Sequence, residues 1–522
     1  MKVTIRFVNN EFHTKREETC TISGQVSLGY ALREKGIEIP YDCGGNGICG
    51  KCRVRFLTGA PEPTSRDRAL FSEKQLQQGY RLACEAKLTR DCEIEIAESA
   101  GDIQGIALEN VTTPFVALEE YGVAVDLGTT TIALALVSLE KKTVLKTTAL
   151  GNSQRKYGAD VMSRMQQSIA GEKEKLKQLV IEDIKRGIET LCLGYFGQIH
   201  SEKEWKPWIK RVVIAGNTTM CHLLLGYSCE SLAVAPFKPV SVLKKTFTFQ
   251  GIETIVLPGI SAFIGGDIVA GLSELCFHKD DNPKLLLDLG TNGEMVIWAN
   301  HRYYAVSASA GPALEGGNIS CGCPSVNGAI YDVMIAGTRR QIKTIGNAPA
   351  IGLCGSGLIS LMSGMLRNRV IDEQGIFREE FSGEYTVCDG TQAGEKKVCI
   401  TQEDVQNFQL AKSAIYCGIK RLLCQVSEKS DLENLEVYLA GGLGVHLPIQ
   451  AAINVGLFPK DFMGHIKTVG NSSLQGAIAY LCQPEIKNEC IQKVCTHTDV
   501  LSLNEWPKFE QAYVENLLLK KR

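Results

Sequence analysis

Residues 123–137 read VAVDLGTTTIALALV, and residues 285–297 read LLLDLGTNGEMVI. In both stretches an apolar strand runs into an acidic residue, Asp126 or Asp288. A tight turn follows, Gly128-Thr129-Thr130-Thr131 or Gly290-Thr291-Asn292-Gly293, and a second apolar strand leaves it. Asp-Leu-Gly-Thr is repeated letter for letter at 126–129 and 288–291. Glycine removes the Cβ that would keep a phosphate off the backbone, and threonine adds a hydroxyl and its own amide to the cradle. A carboxylate at the strand end suits a metal held largely through water, as Mg²⁺ prefers. One such hairpin is an ordinary turn. Two of them point to a fold built from two related halves. A third glycine turn, Ala440-Gly441-Gly442-Leu443-Gly444, follows the apolar strand at 437–439.

At 522 residues the chain is too long for one core and should hold three or four folding units. A net charge of -2 offers no basic face to nucleic acid or anionic membrane, so neither is an expected partner. Residues 1–12 alternate like a strand and lack the apolar core of a signal peptide. The longest uncharged run, 347–366, is broken by Gly, Pro and Ser and reads poorly as a membrane span. Twenty cysteines in a chain this large, without export signals, suggest reduced thiols and a metal cluster rather than a disulfide framework. A cytoplasmic setting is expected.

Residues 1–96 form the first unit. A strand at 2–8 and a helix at 27–35, with Leu28, Ala31 and Leu32 on one face, precede a loop rich in glycine. The loop carries Cys43, Cys49 and Cys52 at C-x5-C-x2-C, a spacing suited to wrapping thiolates around an inorganic cluster. Cys84 is the candidate fourth ligand. Cys92 competes, but it opens a strand at 92–96 and reads as core. Zinc sites normally pair two short Cys units, whereas here three cysteines share one loop. Residues 97–121 show no period and read as a linker that could let the first unit move.

The remaining units are expected at 122–265, 266–482 and 483–522, the last as a C-terminal extension. In the first of them Asn152–Arg164 enters a helix, and Gly216-Asn217-Thr218-Thr219 leads from a buried strand into another. Gly265-Gly266-Asp267 sets an acidic residue at a helix start, either as a cap or as a catalytic group. In the second, Gly311-Pro-Ala-Leu-Glu315-Gly316-Gly317 follows the repeated hairpin, and Gly352–Leu358 is a further glycine turn placed near phosphates. Cys321 and Cys323, and the tail cysteines Cys482, Cys490 and Cys495, lack the spacing for a second cluster.

The two hairpins and the late Gly-Gly turn, over roughly 122–482, resemble the nucleotide site of the acetate and sugar kinase, heat-shock protein and actin superfamily. The resemblance implies a duplicated α/β ATPase core. Asp126 and Asp288 would hold hydrated Mg²⁺, and Gly128, Thr129, Thr130, Gly290, Thr291 and Asn292 would hold the phosphates of ATP. Gly441, Gly442 and Gly444 would line the adenosine side. Asp267 occupies a place where sugar kinases activate their acceptor. The first unit resembles the plant-type and adrenodoxin-type [2Fe–2S] ferredoxins, which have a β-grasp fold; its five-residue first gap sits closer to the adrenodoxin side. The fold class implied is thus multidomain α/β, a ferredoxin-like domain ahead of an actin-like core.

Ferredoxin module and ATPase core together resemble the reductive activators of corrinoid-dependent enzymes, over nearly the whole chain. That resemblance implies delivery of one electron from the cluster to an inactive Co(II) corrinoid protein, regenerating Co(I) with the support of ATP hydrolysis. A low-potential electron donor is implied as a second partner, and a homodimer is possible. Larger members carry a middle domain between linker and core, where only about 25 residues stand here. Two alternatives stay open: an activator of the 2-hydroxyacyl-CoA dehydratase kind, and a small-molecule kinase with a redox-sensing domain.

Overall fold

Alternating β-branched and aromatic residues build two kinds of sheet in this chain, one small and half-covered, the other flanked by helices. The computed structural model describes all residues except 9–14, 23–25, 36, 38, 40–51, 72, 98–118, 197–205, 338, 391–395, 427–431, 446, 463–464 and 521–522. The loop with Cys43 and Cys49, and nearly all of the expected linker, lie outside the described residues. The chain divides into two compact units. One comprises residues 1–102, 151–183 and 222–236, and the other comprises 103–150, 184–221 and 237–522.

In the first unit, β1 (Lys2–Val8), β2 (Lys15–Thr21), β3 (Arg53–Thr58), β4 (Tyr80–Leu82) and β5 (Cys92–Ala97) form a sheet in the order β2-β1-β5-β3-β4. β1 pairs with β5 in parallel, and the other mapped pairs are antiparallel. One face is apolar: Val3, Ile5, Val54, Phe56, Ile94 and Ile96 pack with Leu28, Ala31 and Leu32 of helix Leu28–Glu34. A helix laid across a five-stranded mixed sheet in this order is the β-grasp arrangement implied by the ferredoxin resemblance.

The second unit is built twice on one plan. β6 (Tyr121–Leu127), β7 (Thr131–Ser138), β8 (Thr143–Gly151), β9 (Ile209–Gly216), β10 (Lys245–Phe249) and β11 (Ile252–Val256) form a sheet ordered β10-β11-β9-β6-β7-β8. The later half supplies β12 (Lys284–Leu289), β13 (Gly293–Ala299) and β14 (Arg302–Ala308). A side branch of five strands follows: β15 (Ala329–Ala336), β16 (Arg339–Thr344), β17 (Gly352–Leu353), β18 (Glu384–Cys388) and β19 (Val398–Thr401). The chain then returns through β20 (Glu436–Ala440), β21 (Ile466–Gly470) and β22 (Thr498–Val500) to give β21-β20-β12-β13-β14-β22.

β6 and β12 hold equivalent places. Each is antiparallel to its hairpin partner and parallel to the strand on its other side, β9 or β20. Helix Gly266–Leu275 follows β11 as helix Ser472–Cys482 follows β21. The two helices meet closely: a Cβ on Gly476 would stand 2.1 Å from the carbonyl of Ala270, and one on Gly271 would stand 2.7 Å from Ser472 Oγ. Glycine at both contacts is what allows the approach. Helix Gly266–Leu275 is thus packed directly against helix Ser472–Cys482.

Residues 483–522 fall within the second unit. Helix Pro484–Thr496 buries Ile491 and Val494 in the core shared with β6, β7 and β12. β22 adds a strand beside β14. Farther on, the buried Lys412 ammonium donates to the carbonyls of Asn516 and, at 2.9 Å, Leu518. Leu519 is itself buried. No helix among the described residues is long and apolar enough to cross a membrane.

Candidate functional sites

Cys52 immediately precedes β3 and Cys84 follows β4, so the antiparallel pairing Arg53↔Leu82 carries the two cysteines to one end of the sheet. The Ala83 amide donates to the Cys52 carbonyl at 2.9 Å, and the two Sγ atoms lie 3.3 Å apart. Both are buried, close enough for their thiolates to ligate a single cluster. Cys92 lies elsewhere. It opens β5 opposite Val3, beside Gly59, and burial pushes its thiol up to about 11. A protonated thiol is a poor ligand.

In the second unit the repeated strands place their carboxylates at matching points. Asp126 sits opposite Ala215 and Asp288 opposite Ala440, so each lies at the carboxyl end of a parallel pair. Ligands bind at such strand ends in open α/β sheets. The turn after β9, Gly216-Asn217, is thus the structural counterpart of Gly441-Gly442 after β20. Asn217 Nδ2 donates to Thr129 Oγ1 at 3.0 Å, fixing the first hairpin. Asp126 accepts from Asn471 Nδ2 and Ser473 Oγ, both at 2.7 Å, at the start of helix Ser472–Cys482. The second half therefore orients the carboxylate of the first.

The tips of the two hairpins meet at one residue. Glu315 accepts from Thr291 Oγ1 of the second hairpin and, at 3.5 Å, from Thr130 Oγ1 of the first. Gly290 lies close by: a Cβ there would stand 3.2 Å from Glu315 Oε1, so the carboxylate would have to shift slightly. Gly128 turns against the Thr131 carbonyl, and Asn292 accepts the Gly290 amide at 2.9 Å. Gly441, at φ +83, brings its backbone against Asp288, and Gly442 and Gly444 follow in the turn Gly442–Val445.

Five carboxylates converge here. Glu294 lies directly across the hairpin from Asp288, and like charges so placed repel. Protein atoms crowd Asp126, Asp267, Asp288 and Glu294 while each keeps some surface open. Loss of hydration raises all four. Asp267 reaches about 7, with Asp126 adding to the burial effect, and Asp288 reaches about 7 through burial, then Asp267, Asp126 and Glu315. The charges that raise Asp288 and Glu294 are themselves carboxylates. Asp267 is the second residue of its helix, not the cap, and accepts the Ile268 amide at 2.8 Å.

The structure brings together Asp126, Asp267, Asp288, the hairpin residues and Gly441. Sequence reasoning had missed Asn217, Glu294, Glu315, Asn471 and Ser473 as site residues. Glu294 had a signal, an acid on the strand opposite Asp288; Asn471 and Ser473, distant in sequence, had none. The turn at 352–358 plays a supporting role. Gly355 abuts the Leu314 carbonyl and Ser356 Oγ donates to the Leu443 carbonyl at 3.3 Å, bracing two site loops from behind.

Three family models match consecutive parts of the chain. The 2Fe-2S iron-sulfur cluster binding domain matches residues 12–89, the RACo middle region 121–280, and the C-terminal ASKHA domain of RACo 282–522. A middle region is therefore present, in the stretch that contains the first hairpin. Among curated relatives, the corrinoid activation enzyme RamQ of Eubacterium limosum is 30% identical over 76% of this chain and 70% of its own length. The [Co(II) methylated amine-specific corrinoid protein] reductase of Methanosarcina barkeri is 28% identical over 68% of both. A solved reductive activator for corrinoid,iron-sulfur protein superposes with a TM-score of 0.69 at 26% identity, covering 99% of this chain and 98% of that one.

Proposed function

The chain belongs to the RACo family of corrinoid-protein activators, and we propose that it returns an inactivated corrinoid protein from Co(II) to Co(I) by ATP-dependent transfer of one electron. The observation that carries this reading is the pairing, in one chain, of two adjacent buried thiols in a ferredoxin-type sheet with a two-hairpin ATPase site. A ferredoxin needs no ATP and a kinase needs no cluster.

Cys52 and Cys84 fit as two of the four ligands, with Cys43 and Cys49 as the others. A [2Fe–2S] group held there would supply a one-electron couple, which in plant-type ferredoxins lies at about −400 mV. Cobalt in a four-coordinate corrinoid is harder to reduce, and each 100 mV of shortfall corresponds to about 2.3 kcal/mol. A nucleotide cycle overcomes such a gap when ATP and its products favour different conformations of the site, and the partner also distinguishes them.

The donor set of the second site fits Mg²⁺. Among the described residues no three His, Cys, Asp or Glu side chains gather to hold a metal by themselves, and Mg²⁺ keeps several waters and takes ligands from phosphate. A carboxylate-lined cleft also repels ATP unless a cation accompanies it. Asp126, held by Asn471 and Ser473, and Asp288, held against Gly441, anchor the hydrated ion. The hairpin amides and the Thr129 hydroxyl hold the phosphates, and the turn at Gly441, Gly442 and Gly444 faces adenosine. The setting is cytoplasmic, with a low-potential donor recharging the cluster.

Calorimetry of Mg²⁺–ATP on Asp126→Ala and Asp288→Ala tests the site. Both should lose affinity and hydrolysis while the cluster stays reducible; unchanged binding in both would show the hairpins to be structural. Release of phosphate without a phosphorylated product, stimulated by the corrinoid partner, separates the activator from a kinase.

A further inference from the structure

The five carboxylates of the cleft differ in what they touch. Asp126 is tied by two donors to the start of helix Ser472–Cys482. Asp267 accepts the Ile268 amide of its own helix. Asp288 and Glu294 face one another across the second hairpin, Asp288 against Gly441. Glu294 is hydrogen-bonded to Asn292 of the second hairpin, whereas Glu315 is hydrogen-bonded to the tips of both, through Thr130 and Thr291.

Its backbone is held firmly. Glu315 ends the short turn Pro312–Glu315, and the chain reverses at Gly316, φ +82. A Cβ on Gly316 would lie 2.4–2.6 Å from backbone atoms of Cys323, so only glycine fits. The Gly317 amide donates to the Pro312 carbonyl at 2.8 Å. Behind it, Gly355 lies so close to the Leu314 carbonyl that a Cβ would fall 1.9 Å away. Asp404 accepts the Ser320 amide at 2.7 Å and fastens the far side of the loop to helix Gln402–Leu423. A carboxylate held in place on a braced loop suits a catalytic group better than a mobile one.

We propose that Glu315 orients the water that attacks the terminal phosphate of ATP and accepts its proton. This rests on the reading above, that the phosphates lie on the two hairpins; the tips then border the terminal phosphate, and Glu315 is the carboxylate hydrogen-bonded to both tips. In the step, the water oxygen bonds to the terminal phosphorus as the bond to the bridging oxygen of ADP breaks. The water proton passes to the Glu315 carboxylate and then to the departing phosphate, leaving ADP, phosphate and unchanged Glu315. The hydrogen bonds to Thr130 and Thr291 make that orientation depend on both hairpins together, so hydrolysis is sensitive to how the two halves close.

The test uses the full-length protein with its cluster and compares Glu315→Gln, Glu315→Asp, Asp126→Asn and Asp288→Asn for Mg²⁺–ATP affinity and hydrolysis. Glutamine keeps an acceptor for the two threonine hydroxyls and removes the base. Glu315→Gln should keep affinity within about threefold and lose about 10²–10⁴-fold in turnover, the usual worth of a general base. Glu315→Asp should recover part of the rate. Turnover within threefold of wild type, or loss of binding in step with turnover, would overturn the proposal and leave Glu315 a tie between hairpins. If Asp126→Asn and Asp288→Asn both bind Mg²⁺–ATP normally, the phosphate reading itself has failed.

Discussion

Gly441→Ala should damage folding and nucleotide binding together, and Gly442→Ala, one residue on, should leave folding intact. Gly441 has φ +83, where an L side chain meets its own backbone, at a cost of about 1–2 kcal/mol. The backbone has little freedom to relax, because the Gly441 amide donates to the Gly470 carbonyl at 2.9 Å and so joins β20 to β21. The new methyl would also stand 3.0 Å from Asp288 Oδ1, so the carboxylate must give way by a few tenths of an ångström. At Gly442 nothing lies within 4 Å of the added carbon. For a large domain, a loss of 1–2 kcal/mol lowers the unfolding midpoint by roughly 2–8 °C, the lower half being expected here. Displacement of Asp288 should weaken Mg²⁺–ATP by about tenfold or more, which corresponds to about 1.4 kcal/mol. Scanning calorimetry gives the midpoint and titration calorimetry the affinity. Wild-type values for Gly441→Ala in both, or an equal fall in midpoint for Gly442→Ala, would refute the reasoning.

Cys84→Ala should lose the [2Fe–2S] signal in EPR of the reduced protein and in iron and sulfide analysis, whereas Cys92→Ala should keep it; the opposite pattern would move the fourth ligand to β5. The metal-free protein should lose stability as pH rises from about 5 to 8. Asp267 and Asp288, pushed up to about 7 by burial and then by neighbouring carboxylates, Asp126 for both and also Asp267 and Glu315 for Asp288, keep protons in the folded state that the unfolded chain, with carboxyls near 4, has already released. Thermal unfolding across that range should show a smaller fall for Asp288→Asn, and Mg²⁺ with ATP should stabilise the wild type most at the alkaline end. A stability that rises in parallel for both proteins would contradict this origin.

Local chemistry made the hairpins legible, because a phosphate cradle needs Gly and Thr next to one another and an acid at the strand end, and all of these lie within a few residues. The two-halved plan followed from their repetition, and the fold class from the family resemblances these motifs carry. The partners that complete the site were hidden because they reach it through tertiary structure: Asn471 and Ser473 meet Asp126 from more than three hundred positions away. Glu315 was visible only as part of a glycine-rich stretch, since nothing in Ala-Leu-Glu-Gly-Gly says which way the carboxylate points. The packing of the tail was hidden for a related reason. A three-residue strand such as Thr498–Val500 has no periodicity to detect, and its place beside β14 is decided by the helix that precedes it. Asp267 resisted a choice between cap and catalyst because the short sequence Gly-Gly-Asp is compatible with either; the structure sets it in the carboxylate cluster while also giving it its own helix's amide.

The central claim is that nucleotide turnover drives the electron onto cobalt, and the visible spectrum of the corrinoid partner tests it most directly. The full-length protein, a low-potential reductant and a Co(II) corrinoid protein are mixed with and without Mg²⁺–ATP, and the bands of Co(II) and Co(I) are followed. Co(I) should accumulate with Mg²⁺–ATP, and it should fail to do so without nucleotide or with Asp288→Ala, whose cluster is still reduced. Equal accumulation of Co(I) in the absence of nucleotide would contradict the account.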